Sequence, residues 1–136
     1  METHEEEDMF EVMDEIETAL KDPRGLAFHQ KRLAFLVSLG TVSLLEAYLK
    51  KLNVFKPGAK INHLWLKKKT ENVKKLISNL ITCPIENLKE LDNFLDIAFK
   101  IEKERNELAY GKRVQEDKLR EKIDLFLNLK KRGENA

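Results

Sequence analysis

Two stretches of the chain concentrate side chains able to do chemistry. In the segment Arg105-Asn106-Glu107-Leu108-Ala109-Tyr110-Gly111, Arg105 stands on an apolar stripe formed by Leu88, Leu91, Phe94 or Leu95, Ala98 and Ile101 and resumed at Leu108. A guanidinium at such a position must be paired, hydrogen-bonded or turned toward a cavity, because burying an unpaired charge is costly. One account is a snorkelling side chain that reaches from a helix edge to a carboxylate such as Glu102. The second stretch joins Lys60, His63, Trp65, Lys67, Lys68 and Lys69. Aromatic and basic side chains together stack on bases and hold phosphates in single-strand binders. The plainer account puts Trp65 in the core and the lysines in solvent.

Other chemistry finds less support. His4, His29 and His63 share no short fixed spacing, so no metal site is expected. Cys83 stands alone, which leaves no intramolecular disulfide and no Cys-based metal site. An intracellular, reducing and cytoplasmic setting is the default for such cysteine usage. The chain holds no Gly-rich phosphate loop, no Gly-x-Ser-x-Gly elbow and no dinucleotide fingerprint, and no cofactor is expected.

Helices must position these residues. A charged fraction of 36% beside a hydrophobic fraction of 42%, with five glycines and three prolines, fits amphipathic helices and argues against disorder or a turn-rich β fold. At 136 residues the expectation is a single all-α domain over 1–136, a bundle of four main helices plus one short helix. Met9, Met13, Ile16 and Leu20 recur at helical spacing and predict a first helix from about Glu5 to Lys21. Asp22 and Pro23 end it and open a second helix, about Pro23 to Leu52, in which Gly40 marks a close crossing. A loop over Asn53 to Asn62 follows, then a short third helix from Leu64 or Thr70 to Leu80. The fourth helix is predicted from about Pro84 to Ala109, with Gly111 as its left-handed stop. The last, about Gln115 to Lys131, carries Leu119, Ile123 and Phe126 or Leu127.

Net charge is +1, but its distribution is uneven. Acidic residues fill the first helix, whereas Lys50 to Lys75 is strongly basic, either a phosphate-attracting surface or a solvated lysine face. The acidic N-terminal segment lacks the order of a signal peptide. Leu33 to Leu49 is interrupted by Ser38, Thr41, Ser43 and Glu46, so it reads as a central core helix and no membrane association is expected.

The order of a long helix, Arg-Asn, three residues, an aromatic, Gly and a final amphipathic helix resembles the HEPN superfamily. That family's signature is commonly Arg-Asn-x-x-x-His near the end of the penultimate long helix. Arg105 and Asn106 match it, and Tyr110 stands where the family has His. The helix order matches over roughly the whole domain, and residue-level likeness is confined to about Lys103 to Leu127. The resemblance implies a metal-independent ribonuclease of toxin or defence type, working as a homodimer on RNA, with Arg105, Asn106 and Tyr110 at the catalytic positions. An Arg can hold a scissile phosphate bidentately, and a His moves protons near neutral pH. A tyrosine, with an ordinary pKa of about 10, is a poor base there. Other family members pair with a minimal nucleotidyltransferase as toxin and antitoxin, and the alternative for this chain is a catalytically inactive module that binds a nucleotide or a partner nucleotidyltransferase in the same cleft. Those that pair this way carry a further Tyr two positions after the His, where this chain has Lys112. A third reading, from outside the family's chemistry, is a helical dimerisation protein in which Arg105 is an interface charge.

Overall fold

The computed structural model describes residues 3–135. Helix α1, His4–Lys21, starts at a capping box: the Thr3 hydroxyl accepts the Glu6 amide at 3.1 Å, and the Glu6 carboxylate accepts the Thr3 amide at 3.1 Å. His4 opens the helix and contacts Asp8 at 3.3 Å. Val12, Ile16 and Ala19 form the buried face, and Leu20 is exposed. The core stripe is thus turned slightly from the one that Met9, Met13 and Leu20 suggest.

The second helix does not begin at Pro23. The Asp22 carboxylate accepts the Arg24 amide at 2.9 Å, and Gly25 takes φ +100°, a left-handed region that halts any helix there. A 3-10 turn over Leu26–His29 leads into α2, Gln30–Lys51. This helix packs against α1, α4 (Leu91–Glu102), α5 (Arg105–Tyr110) and α6 (Glu116–Asn135), so it is the bundle's central helix. A Cβ at Gly40 would lie 2.7 Å from the Phe126 ring and 3.2 Å from Val12, which explains the glycine as a point of close helix approach. The stretch Leu26–Lys51 is long and apolar enough to cross a membrane by composition, and half of its most apolar window is buried inside the bundle.

Between α2 and α4 the chain forms a loop, a 3-10 turn over His63–Lys67, α3 over Thr70–Ser78, and a further 3-10 turn over Ile85–Asn87. One isolated antiparallel bridge links Phe55 and Ile81, and the protein is all-α. The core runs through Leu45, Leu49, Leu91, Phe94, Ile123 and Phe126, with the Phe94 ring stacked on Tyr48 at 4.9 Å.

The fourth helix departs most from its predicted span. Rather than running from Pro84 to Ala109, α4 begins at Leu91 and ends at Glu102, and α5 begins at Arg105. Glu104 between them takes a left-handed φ of 69°. No Gly or Pro causes the break. Buried Lys122 of α6 donates to the carbonyls of Lys100 at 2.6 Å and Lys103 at 3.0 Å, satisfying the end of α4, and Lys118 pairs with Glu104. At the far end of α5, Gly111 has φ −93° and is not left-handed. A Cβ there would strike the Glu107 carbonyl, so close backbone approach is what demands glycine.

Candidate functional site

The site is built where α2, α5 and the end of α4 meet. The stem of Arg105 lines a small cavity of about 20 Å³ with Leu33, Val37, Ile101 and Leu108. Its guanidinium lies over the Phe35 ring at 4.9 Å and donates to the Asn106 side chain at 3.2 Å, while Nε is buried without a partner. The stem covers apolar surface, as the snorkelling account expects, but among the described residues the head makes no hydrogen bond to Glu102 or any other carboxylate, so the expected pairing is not formed. Tyr110, 72% exposed, meets Phe35 edge-on at 5.7 Å. Phe35 is 40% exposed, so Arg105, Tyr110 and Phe35 form one surface with Asn106 at its edge.

Gln30 fixes α5 against α2. Its buried amide donates to the carbonyls of Leu108 at 3.1 Å and Lys112 at 3.0 Å, and accepts the Val114 amide at 2.8 Å. One side chain thereby ties down both the end of α5 and the connection to α6.

Beneath this surface lies Glu102, whose side chain is fully buried. Ser38 donates to one carboxylate oxygen, and the other oxygen has no partner. His63 Nδ1 faces that second oxygen at 4.0 Å and is itself buried and unpaired. Burial pushes the Glu102 carboxyl above the usual carboxylate range, against the Ser38 hydrogen bond and the charges of His63, Arg105 and Lys67. Both predicted residue groups thus converge here, Arg105 from one and His63 with Lys67 from the other. Trp65 is half-buried and packs against the core, and Lys60, Lys68 and Lys69 are exposed without a contact that brings them to Arg105.

Glu102 entered the sequence reading only as a pairing partner for Arg105. The signal for a larger role was present: Leu91, Leu95, Ala98 and Glu102 follow four-three-four helical spacing, so a carboxylate occupies a core position. Phe35, Ser38 and Gln30 carried no such signal. Among the described residues no group of three or more His, Cys, Asp or Glu side chains is arranged to hold a metal ion. No family model matches the chain, and no curated protein or solved structure matches it significantly.

Proposed function

We propose that the chain is an HEPN-like, RNA-directed domain in which Arg105 holds phosphate and Asn106 and Tyr110 supply polar contacts beside it. The observation that carries this reading is the state of Arg105: a half-buried guanidinium laid on Phe35, with an unpaired Nε and no carboxylate hydrogen bond, on the face that also presents Asn106 and Tyr110. A permanently charged, planar cation held open in this way suits bidentate phosphate recognition. The exposed rings of Phe35 and Tyr110 favour a second copy of the chain across this face, giving a two-fold dimer with two Arg105 side chains in one cleft. The activity proposed is metal-independent endoribonuclease action of toxin or defence type.

Binding of single-stranded RNA and its cleavage in EDTA test this reading. Arg105→Ala should weaken RNA binding about tenfold or more, and Arg105→Lys, which keeps the charge and loses the planar fork, should recover only part of it. Tyr110→His places a group with an ordinary pKa of about 6.5 at the family's proton-transfer position and should raise EDTA-resistant cleavage. Sedimentation at micromolar concentration should show twice the 15.9 kDa chain mass. RNA binding untouched by Arg105→Ala would remove the phosphate role.

A second reading is favoured by the edge-on packing of Tyr110 on Phe35, which uses the tyrosine as surface rather than as a proton carrier. In it the same face binds a nucleotide or a partner nucleotidyltransferase without cleavage. RNA left intact by both wild type and Tyr110→His, with nucleotide binding that depends on Arg105, would favour it. If Arg105→Lys alters only dimer stability, the face is a structural interface.

A further inference from the structure

Three buried side-chain atoms lack partners among the described residues, and they belong to residues grouped around Glu102: its own Oε2, Nδ1 of His63 and Nε of Arg105. Unpaired buried polar atoms are rare in folded proteins, and a group of them in one place calls for a functional explanation. The set is complementary, with one acceptor, one constitutive donor, and a ring nitrogen that becomes a donor when it carries the proton. The 4.0 Å between His63 Nδ1 and Glu102 Oε2 exceeds a hydrogen bond by about 1 Å, a gap that side-chain torsions can close. Ser38 holds the other carboxylate oxygen, so Glu102 is already oriented. With Nδ1 protonated toward Glu102, the opposite nitrogen, Nε2, is left as a base on a ring that is 37% exposed.

We propose that His63, positioned by Glu102, is the proton-transferring group of the Arg105 site. This rests on the RNA-directed reading above and gives the chain a base that Tyr110 does not provide. In the step, Nε2 takes the proton of a ribose 2′-hydroxyl while the 2′-oxygen bonds to phosphorus and the bond from phosphorus to the 5′-oxygen breaks. The departing 5′-oxygen takes a proton from water, and the imidazolium releases its own to the hydroxide so formed. The products are a 2′,3′-cyclic phosphate and a 5′-hydroxyl end. Arg105 holds the phosphate, and Glu102 acts as a positioning residue that fixes the tautomer of His63.

The test uses the full chain in EDTA with mixed-sequence single-stranded RNA and its all-deoxy counterpart, which binds but has no 2′-hydroxyl. His63→Gln should lower cleavage about 100-fold, the usual scale of a lost general base, and change affinity for the deoxy strand less than about threefold. In His63→Gly, added imidazole should restore part of the cleavage, which separates a lost base from a damaged fold. Glu102→Gln should lower cleavage about tenfold while leaving affinity for the deoxy strand within about threefold, and Glu102→Asp should recover part of the rate, because the ring loses the carboxylate that orients it. Cleavage undiminished in His63→Gln overturns the assignment and leaves the RNA reading standing. Arg105-dependent binding without any cleavage by wild type overturns it as well, and keeps only binding. Absence of RNA binding by wild type removes both.

Discussion

Two clusters in this protein are made from the same kinds of side chain, a histidine, carboxylates and arginine, and they are finished differently. Around His29 the pairing is complete: Nδ1 meets Glu15 at 2.9 Å, Nε2 meets Asp22 at 2.7 Å, Arg32 reaches Glu15 at 3.2 Å and Arg24 reaches Asp22 at 2.8 Å. Arg24, through its side chain and backbone amide, holds the Asp22 carboxyl well below the usual range, with His29 adding to the effect. Around His63 the pairing is incomplete, with a buried carboxylate oxygen, a ring nitrogen and a guanidinium nitrogen all without partners. The first cluster locks the turn between α1 and α2, with both ring nitrogens of His29 taken by carboxylates. The second keeps unspent hydrogen-bonding capacity where the end of α4 meets the His63–Lys67 turn. Residue type therefore does not separate a brace from a site; the count of donors against acceptors does.

The largest effect expected from this contrast is on stability. His29→Ala leaves Glu15 and Asp22 facing an empty position and should lower the melting temperature by about 10 °C or more, whereas His63→Ala, which removes an atom already unpaired, should cost less than about 3 °C. Thermal melting of the two variants ranks them directly. Equal losses would mean that the His63 cluster is as structural as the other. A more local change follows from Gln30→Ala, which removes three hydrogen bonds at the end of α5 and leaves the buried Leu108 carbonyl without this donor, for about 1–3 kcal/mol. Amide exchange at Val114 should quicken, and RNA affinity should fall although Gln30 makes no contact with Arg105 in the structure. Unchanged exchange at Val114 would show that α5 is held by its apolar contacts alone.

The helices were legible wherever local rules decide them. The spacing of Leu119, Ile123 and Phe126 gave the buried face of α6, Gly40 announced a close crossing, and Phe94 is core as the periodicity requires. The capping box at Thr3 and Glu6 was readable too, since Ser or Thr followed three residues later by Glu marks a helix start. The break at Glu104 was not readable. It depends on Lys122 and Lys118, side chains from another helix, and nothing within Lys100 to Arg105 disfavours a helix strongly enough to reveal it. The site was half legible for the same reason. Arg105 stood out against its stripe, but the approach of His63 to Glu102 is tertiary, made by the loop that returns from α2 and lays the His63–Lys67 turn against α4.

The smallest effect sharpens the comparison most, because it measures the cost of the incomplete pairing. Burial raises the Glu102 carboxyl, so the folded protein holds that proton to higher pH than the unfolded chain does. The stability this proton contributes is fully present below the unfolded carboxylate's range and is lost as pH rises through the folded value. Glu5, Asp22 and Glu104 are shifted the other way and add stability as pH rises from acid, so the whole-protein curve conceals the contribution of Glu102. Glu102→Gln isolates it. Relative to this variant, wild type should lose stability on going from acid to neutral pH. The charge of His63 partly offsets the burial cost, so the loss should grow when the same comparison is made in a His63→Ala background, a double-mutant cycle run at two pH values. A loss of the same size in both backgrounds would mean that His63 and Glu102 do not interact, and the positioning of His63 by Glu102 would fall with it. A loss larger in the His63→Ala background, beside a His29 cluster whose carboxylates are already paired, would mark the two histidines as opposite uses of one set of side chains.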